Sequence, residues 1–577
     1  MRRVLFVAVI VGLVLSAGCG RGPTTEERLF VGLANRYLAA LYAHQPVWAT
    51  QLGNHDHDDR LPDLSKPARD AWADLNRAYR DSLRAIPPDQ LSEQDRIDRD
   101  ILLRRIAYAL FAHEELDEPS WNPLLYNPGD AIYSLLAREF APLPARLQNV
   151  AARLEQIPVL LAAARANLEN PPAVFTRTAI TQNQGTINLV MDGLDRYLVD
   201  VPSLREQLAR PRAEAIAALT EYGNWLADDL LPRSRGDFRL GVERWRRKLQ
   251  FALDSDLEPT AILSSAERDL EATTVRMAEL ARSMYPQRLG SPVPAQIPRE
   301  TLIAAVLRRL AEDRPTSETI VEQARRDLER ITAFVREHDL VRVPDEPIEI
   351  IVMPEHQRGM WIAYCDSPGP LEPHLPTFYA IAPTPADWTP ERTESFYREY
   401  NDYMLQDLTV HEAMPGHYLQ INHANRFRGS TPVRAVFSSG TFVEGWATYA
   451  EQLMVESGWG GPEFEMQQLK MRLRLIINAI IDQLIHTAGM TEGKAMTLMM
   501  ERGFQEEGEA AGKWIRACLT STQLSTYYVG NLEINAIRRD WLRKAGEQYR
   551  HRDFHDRLLS YGAPPPRHLR RLLELAD

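Results

Sequence analysis

Apolar residues recur every three or four positions along most of the chain, and charged stretches lie between them. This spacing is typical of α-helices that bury one face. Proline-rich stretches at 170–172, 286–298 and 563–566 predict turns between helices. The chain is therefore predicted to be mainly α, with its clearest helical segments at 27–42, 96–113, 143–167, 267–284, 319–338 and 463–488.

One part of the chain has a different pattern. Short runs of β-branched and aromatic residues at 347–353, 359–364 and 377–382 are separated by turn residues, which predicts two or three strands of a small β-sheet. An extended loop crossing a helical surface is the alternative. Helical patterning resumes at Glu391. We therefore divide the body loosely into a helical region, 31–340, and a region with the sheet, 341–577, which can pack together as one unit.

The N-terminal 18 residues have the pattern of a signal peptide. Two arginines precede an uncharged, mostly apolar run that is shorter than the roughly 20 residues needed to span a bilayer. The run ends in LSAGC, which resembles the cleavage site of bacterial lipoproteins. We expect cleavage after residue 18, acylation of Cys19 and a tether at 19–30. The body would then reach the membrane through its lipid anchor only, on the periplasmic face of the cell envelope.

Composition and charge narrow the class of partner. Of the 577 residues, 44% are hydrophobic and 25% are charged, which is ordinary for a globular protein. The 67 basic and 79 acidic residues give a formal net charge of -12. This charge argues against binding nucleic acid or an anionic surface through bulk attraction, and it leaves peptide-like partners. Once Cys19 is acylated, Cys365 and Cys518 can form at most one disulfide.

The segment at 409–417, TVHEAMPGH, contains the most informative motif. It is close to the zincin pattern H-E-x-x-H, in which two histidines on one helix hold Zn²⁺ and the glutamate takes a proton from water. Here His417 follows His411 by six residues, and an unbroken helix would place it about 240° around the axis. Pro415 and Gly416 predict that the helix bulges or ends, which would bring His417 back beside His411. Glu412 is the predicted general base.

A third zinc ligand is expected on a later helix. Glu444 lies 27 residues beyond His417, as in the gluzincin group of zincins, where the third ligand is a downstream glutamate. Glu451 is seven residues further on, near the same helix face, and could orient a ligand histidine. His423 is an alternative to His417 as the second histidine ligand.

Other polar residues are candidates for supporting roles. Tyr527 and Tyr528 could each donate a hydrogen bond to the oxyanion that forms on an attacked carbonyl, or each could be a core aromatic. Asp482 and His486 are four residues apart on an apolar helix, and they indicate either the substrate cleft or a satisfied core pair. The stretch 55–59, HDHDD, could bind metal, but the turn residues around it favour a solvated or capping loop.

These motifs resemble a bacterial domain-of-unknown-function family, the one numbered eight-eight-five. Its members carry H-E-x-x-P-G-H and F-x-E-G-W-A-x-Y-x-E, and they resemble this chain at 52–63, at Asp482 with His486, in Q-x-x-x-Y-x-x-G from Gln523, and at 554–565. The resemblance implies a zincin-like, gluzincin-like helical fold and a metal, and it favours Tyr527 over Tyr528. The chain departs from the family pattern at Tyr418, where members often have histidine, and at Tyr528, where a basic residue is common.

The sequence therefore predicts a zinc-dependent hydrolase of a peptide or related amide bond. Zn²⁺ would be held by His411, His417 and Glu444, with Glu412 as the base and Tyr527 as the oxyanion donor. The competing hypothesis is a non-catalytic envelope lipoprotein, a degenerate peptidase that uses the cleft only to hold a ligand. An intact Glu412 argues against that hypothesis, since a binding site needs no general base.

Overall fold

A computed structural model describes residues 22–255, 257–353, 363–385 and 388–575. The predicted signal peptide and Cys19 lie outside these residues. Most of the described chain is helical, and the helices that precede the sheet are α1 (Thr25–His44), α2 (Pro46–Leu52), α3 (Lys66–Arg84), α4 (Glu93–Phe111), α5 (Gly129–Ala137), α6 (Leu143–Asn167), α7 (Ala173–Asn188), α8 (Asp195–Leu198), α9 (Arg205–Trp225), α10 (Leu231–Arg233), α11 (Gly241–Leu253), α12 (Pro259–Leu289), α13 (Arg299–Leu310) and α14 (Ile320–Glu337).

A small sheet follows α14. Its strands are β1 (Ile348–Val352), β2 (Ala363–Asp366) and β3 (Thr377–Ile381), in the order β1-β3-β2. β1 pairs with β3 in parallel, whereas β2 pairs with β3 antiparallel and lies at an edge. All three predicted runs hold a strand, although the described part of the second run begins only at residue 363.

A second group of helices follows the sheet and carries the candidate chemistry. These helices are α15 (Pro390–Glu399), α16 (Asp402–Glu412), α17 (His417–Ala424), α18 (Val433–Val436), α19 (Gly440–Glu456), α20 (Gly461–Ala488), α21 (Glu492–Thr497), α22 (Glu507–Thr520), α23 (Ser525–Ala545), α24 (His551–Leu559) and α25 (Pro566–Leu572).

The predicted helices agree closely with the observed ones because each has a regular apolar face. In α6 the buried side chains include Leu147, Val150, Leu154, Ile157 and Leu161, spaced by three or four residues. A helix end is stabilised by its own side chains as well. Thr24 and Glu27 form a capping box at the start of α1.

One predicted boundary is wrong. The turn expected from Pro286 onward begins later, because α12 continues to Leu289 and ends at Gly290, whose φ is 69°. Pro286 lacks the N–H that would bond the carbonyl of Arg282. Arg282 is exposed, so its carbonyl can bond water instead and the helix continues.

The apolar core is divided among clusters that mix early and late parts of the chain. One cluster combines residues of α1, α4 and α14 with residues of α16, α17 and α19, including Phe30 and Trp446. A second combines α12 and α13 with α20 and α23, including Met277 and Tyr528. α19 packs along α23, so the candidate ligands lie where these two clusters meet.

Two further findings concern the membrane and the cysteines. Within the described ranges, no helix has both the length and the apolar character that a membrane crossing requires. Cys365 and Cys518 are both free thiols.

Candidate metal centre

The Pro-Gly turn reverses the chain at the end of α16. The helix ends at Glu412, and α17 begins at His417, so the motif is divided between two helices. The Gly416 N–H donates to the carbonyl of Val410 at 3.0 Å. A Cβ atom on Gly416 would overlap the carbonyl of His411, so only glycine allows this close return. The interruption predicted from the spacing is therefore present.

The reversal brings three candidate ligand atoms together. His417 Nε2 lies 3.5 Å from Glu444 Oε2, and His411 Nε2 lies 3.7 Å from the same oxygen. The ligand atoms of all three residues lie within 4.8 Å of one another. The two imidazole rings are nearly perpendicular, at 87°, with centroids 4.7 Å apart. The predicted ligand set thus converges on one point.

The donor set fits a zinc ion. Two zinc ligands about 2.0–2.2 Å from the metal at a tetrahedral angle lie about 3.4 Å apart, close to the distances between Glu444 and the two histidines. Glu444 Oε2 is inaccessible to solvent and makes no hydrogen bond within the described chain. Burial alone would raise the pKa of Glu444, but His411 and His417 outweigh it and hold that pKa below its ordinary value.

Glu451 fixes the orientation of His411. Its Oε1 lies 2.6 Å from His411 Nδ1, and Glu451 is fully buried. A carboxylate at Nδ1 selects the tautomer that carries its proton there, which leaves the Nε2 lone pair directed at the ligand point. The contact that the predicted supporting role of Glu451 requires is therefore present.

Asp407 also lies behind the ligands, and the sequence analysis missed it. It is fully buried one helical turn before His411, and neither carboxylate oxygen has a hydrogen-bond partner in the described chain. Burial, and then the nearby charge of Glu451, raise the pKa of Asp407 well above its ordinary value. The i, i+4 spacing to His411 was the one sequence feature that could have indicated it.

The edge strand β2 forms a hydrogen bond with Glu412, the predicted base. The backbone N–H of Cys365 in β2 donates to Glu412 Oε2 at 3.0 Å. Next to it, the Tyr379 hydroxyl in β3 lies 3.1 Å from Thr409 Oγ1 in α16. The sheet and α16 are therefore joined beside Glu412. No local pattern in the sequence indicates this contact between distant segments.

Tyr527 and Tyr528 have different surroundings and different hydrogen-bond partners. Tyr527 is partly buried, and its hydroxyl accepts hydrogen bonds from Arg516 at 2.9 Å and Gln523 at 3.4 Å. Burial and then the charge of Glu444 raise the pKa of Tyr527, so its phenol stays protonated and able to donate. Tyr528 is fully buried and donates to Asp269 at 2.9 Å.

Asp482 and His486 support the helices next to the ligands. Asp482 accepts from the backbone N–H of Thr522 at 2.7 Å and from the hydroxyl of Ser525 at 2.7 Å, so it fixes the start of α23. His486 Nε2 lies 2.9 Å from the carbonyl of Ala517. Both side chains are almost fully buried; Asp482 bonds the start of α23, whereas His486 bonds the last turn of α22.

Other histidines considered from the sequence lie elsewhere. His423 Nε2 lies 2.9 Å from the carbonyl of Arg342, so His417 is the histidine that joins His411. His55 lies 2.9 Å from Asp58 and 3.0 Å from Glu372, and it stacks on Phe140. His55 and Asp58 are thus packed against the loop that follows β2, whereas Asp56 and Asp59 are exposed, as in the expected solvated loop.

Comparison with known proteins assigns a family. The chain matches the family described as "Bacterial protein of unknown function (DUF885)" over residues 46–573. The chain belongs to the DUF885 family. No curated protein matches it.

Solved structures share the fold. A protein of Shewanella oneidensis, provisionally described as a lipoprotein of unknown function, is 30% identical with a TM-score of 0.82, over 94% of this chain and 99% of that chain. A protein of Colwellia psychrerythraea, also provisionally described as a lipoprotein, is 18% identical with a TM-score of 0.79, over 96% of this chain and 99% of that chain. The mainly α fold with a small sheet is therefore that of other solved proteins.

The two departures from the expected DUF885 pattern lie away from the ligand atoms. Tyr418 is buried, and its hydroxyl donates to the carbonyl of Glu346. Tyr528 donates to Asp269 instead of facing Glu444. Neither substitution changes the group formed by the two histidines and Glu444.

Proposed function

We propose that this DUF885 protein is a zinc-dependent hydrolase of peptide or related amide bonds. The observation that carries the proposal is the convergence of His411 Nε2, His417 Nε2 and Glu444 Oε2 beside Glu412. A zinc ion held by these side chains would supply Lewis acidity, which polarises a carbonyl and lowers the pKa of water toward about 7. The position of Glu444 on a separate downstream helix and the strand beside Glu412 also support the gluzincin-like assignment.

The chain's own residues supply the proton transfers. Because Glu412 Oε2 accepts the Cys365 N–H, Oε1 is the oxygen left to take a proton from the attacking water and to pass it to the leaving amine. Tyr527 donates its phenol hydrogen to the carbonyl oxygen as negative charge develops there. Arg516 donates to the Tyr527 oxygen, which leaves that phenol hydrogen free to point into the cleft.

We further propose that the protein is a lipoprotein of the cell envelope, anchored through Cys19 on the periplasmic face. The sequence LSAGC and the descriptions of the two solved relatives support this location. Amide substrates of the envelope would then be within reach.

The replacement Glu412→Gln tests the enzymatic role directly. It should lower cleavage of a mixed peptide library, followed by mass spectrometry, by about a hundredfold or more, because the amide cannot accept the water proton. Bound zinc should stay unchanged, since Glu412 is not among the three ligands. Glu391→Gln, at an exposed position of α15, is the matched control and should cleave like wild type.

The same experiment distinguishes the enzyme from the competing hypothesis of a non-catalytic binding module. A wild-type protein that holds zinc but cleaves neither peptides nor simple amides would be a binding module, as the non-catalytic alternative states. Equal cleavage by wild type and Glu412→Gln would contradict the assignment of Glu412 as the base.

A further inference from the structure

A large cleft lies apart from the candidate metal centre. It encloses about 810 Å³ between the turn at Pro88–Gln90, α4 and α25, and one residue of α23 also lines it. None of its lining residues belongs to the candidate metal centre. The cleft therefore has no role in the proposed hydrolysis.

Positive charge dominates this cleft although the chain as a whole is acidic. Asp100 and Glu533 are the carboxylates that line it. The arginines that line it are Arg96, Arg99, Arg567, Arg570 and Arg571. An excess of guanidinium groups in one concave place attracts anions locally, whatever the net charge of the protein.

Part of this charge is neutralised within the fold. Arg567 pairs with Asp254 at 2.9 Å and with Asp100 at 2.6 Å. Arg571 pairs with Glu93 at 3.0 Å, and Arg570 pairs with Asp540. These contacts hold α25 in place beside α4 and α23.

Arg96 and Arg99 differ from the arginines of α25 because no ion pair within the described chain neutralises them. They lie about one turn apart on α4, and neither is within ion-pair distance of a carboxylate among the described residues, although Asp100 lies near Arg99. The Nε of Arg96 is buried without a hydrogen-bond partner among the described residues, and the Nε of Arg99 donates to the carbonyl of Leu83 at 3.0 Å. Both guanidinium groups thus line the cleft with donors free for a ligand.

The first helix, α1, begins beside this cleft. The Thr24 hydroxyl at the start of α1 donates to the carbonyl of Gln90 at 3.3 Å, two residues from Pro88 in the cleft wall. Thr24 is five positions beyond Cys19 in the sequence, a reach of about 17 Å when fully extended. A lipid attached to Cys19 would keep the cleft close to the headgroup layer. Pro88 and Leu257 supply exposed apolar surface at the rim.

We propose that this cleft binds a phosphate-bearing anion. Guanidinium groups bind phosphate through paired, charge-assisted hydrogen bonds, and several arginines around one cavity suit a phosphate better than a single carboxylate. The phosphate can come from the headgroup of an anionic phospholipid or from a soluble phosphate ester. The position beside the proposed anchor favours the headgroup, and that part rests on the anchoring of Cys19.

The test uses a chain that begins at residue 22 and so keeps every described residue. One arm measures flotation with vesicles of phosphatidylglycerol and phosphatidylcholine, against vesicles of phosphatidylcholine alone. The other arm measures calorimetric binding of glycerol phosphate. Arg96→Glu/Arg99→Glu is the test variant. Arg282→Glu/Arg308→Glu, at exposed positions of α12 and α13, makes the same change of charge elsewhere.

We expect the wild type to bind and the Arg96→Glu/Arg99→Glu variant to bind about tenfold more weakly or worse, while the control pair binds like wild type. Binding to the anionic vesicles identifies a lipid headgroup, and binding to glycerol phosphate alone identifies a soluble ester. Absence of wild-type binding in both arms would overturn the proposal. An equal loss in both double variants would also overturn it, because bulk charge would then explain the binding. Equal circular dichroism of the three proteins checks their folding.

Discussion

Consecutive residues of α19 point in different directions and contact different parts of the site. Glu444 faces the two histidines, Gly445 packs against α23, and Trp446 donates its indole N–H to the carbonyl of Pro415 at 2.8 Å. Seven residues make almost two helical turns, so Glu451 returns to the face of Glu444 and bonds the opposite nitrogen of His411. α19 thus carries one candidate ligand, the carboxylate that contacts a second candidate ligand, and a contact to the turn before α17.

Removing the charge of Glu451 should weaken metal binding without removing a ligand. In Glu451→Gln the His411 ring loses the carboxylate that holds its Nδ1 proton, and zinc affinity should fall about 10- to 100-fold. Competition with a chromogenic chelator measures the affinity. Glu456→Gln, on the exposed end of α19, is the matched control and should bind zinc as tightly as wild type. Unchanged affinity in Glu451→Gln would show that its contact with His411 does not support the metal.

At the scale of residues, the sequence indicated the side chains of the candidate site through their type and spacing. His411, Glu412, His417 and Glu444 follow from one motif and a downstream glutamate, and the structure places three of them around one point. The sequence did not indicate the roles of Cys365, Arg516 and Trp446, because these roles arise from contacts between segments that are distant in sequence. Such contacts leave no local pattern.

At the scale of elements, the approach of α19 to α23 positions both Glu444 and Tyr527. A Cβ atom on Gly445 would lie 2.5 Å from the backbone of Gly530, and one on Gly530 would overlap the carbonyl of Thr441. The two helices therefore touch backbone to backbone. Larger side chains would separate the ligand on α19 from the phenol on α23.

The replacement Gly530→Ala should destabilise the protein by about 2 kcal/mol or more, because the helices must move apart to admit a methyl group. The urea midpoint at neutral pH measures the change. Gly512→Ala is the matched control: Gly512 lies within α22, is exposed, and has open space where the methyl group would go. That variant should be more stable than wild type by about 0.5–1 kcal/mol. If both variants had the same midpoint, close packing at Gly530 would not be limiting.

The elements themselves were largely predictable, and their arrangement was not. Helices such as α6 and α20 follow from apolar residues spaced by three or four, since that pattern is local. The strand order β1-β3-β2, with one parallel pair, depends on contacts with α14 and α16 and could not be derived from the strands alone. The position of Pro286 shows why a local rule can fail: proline usually ends a helix, but α12 continues through Pro286.

At the scale of the whole molecule, the loop at 55–59 joins the N-terminal helices to the loop between β2 and β3. Burial alone would lower the pKa of His55, but hydrogen bonds to Asp58 and Glu372 outweigh it and raise the pKa to about 9. An unfolded histidine has a pKa of about 6.5. The charged ring therefore stabilises the fold fully below about pH 6.5, and this contribution is lost as the pH rises through about 9.

His55→Gln should lower stability at pH 6 by on the order of 1 kcal/mol, a figure reduced for the half-exposed ring. The difference from wild type should shrink between pH 8 and pH 10. Urea midpoints at pH 6, 8 and 10 measure it. His338→Gln, at an exposed position after α14, is the control and should show no such trend. A difference that stayed constant up to pH 10 would contradict the ion-pair explanation.

The central claim, that the two histidines and Glu444 form a zinc site, is tested most directly by metal content. Plasma emission would be measured on purified wild type, His411→Ala and Glu444→Ala, with circular dichroism to show equal folding. We expect close to one zinc per wild-type chain and little or none in either variant. A wild type without metal, even after reconstitution with zinc, would contradict the claim, as would full retention of zinc in both variants.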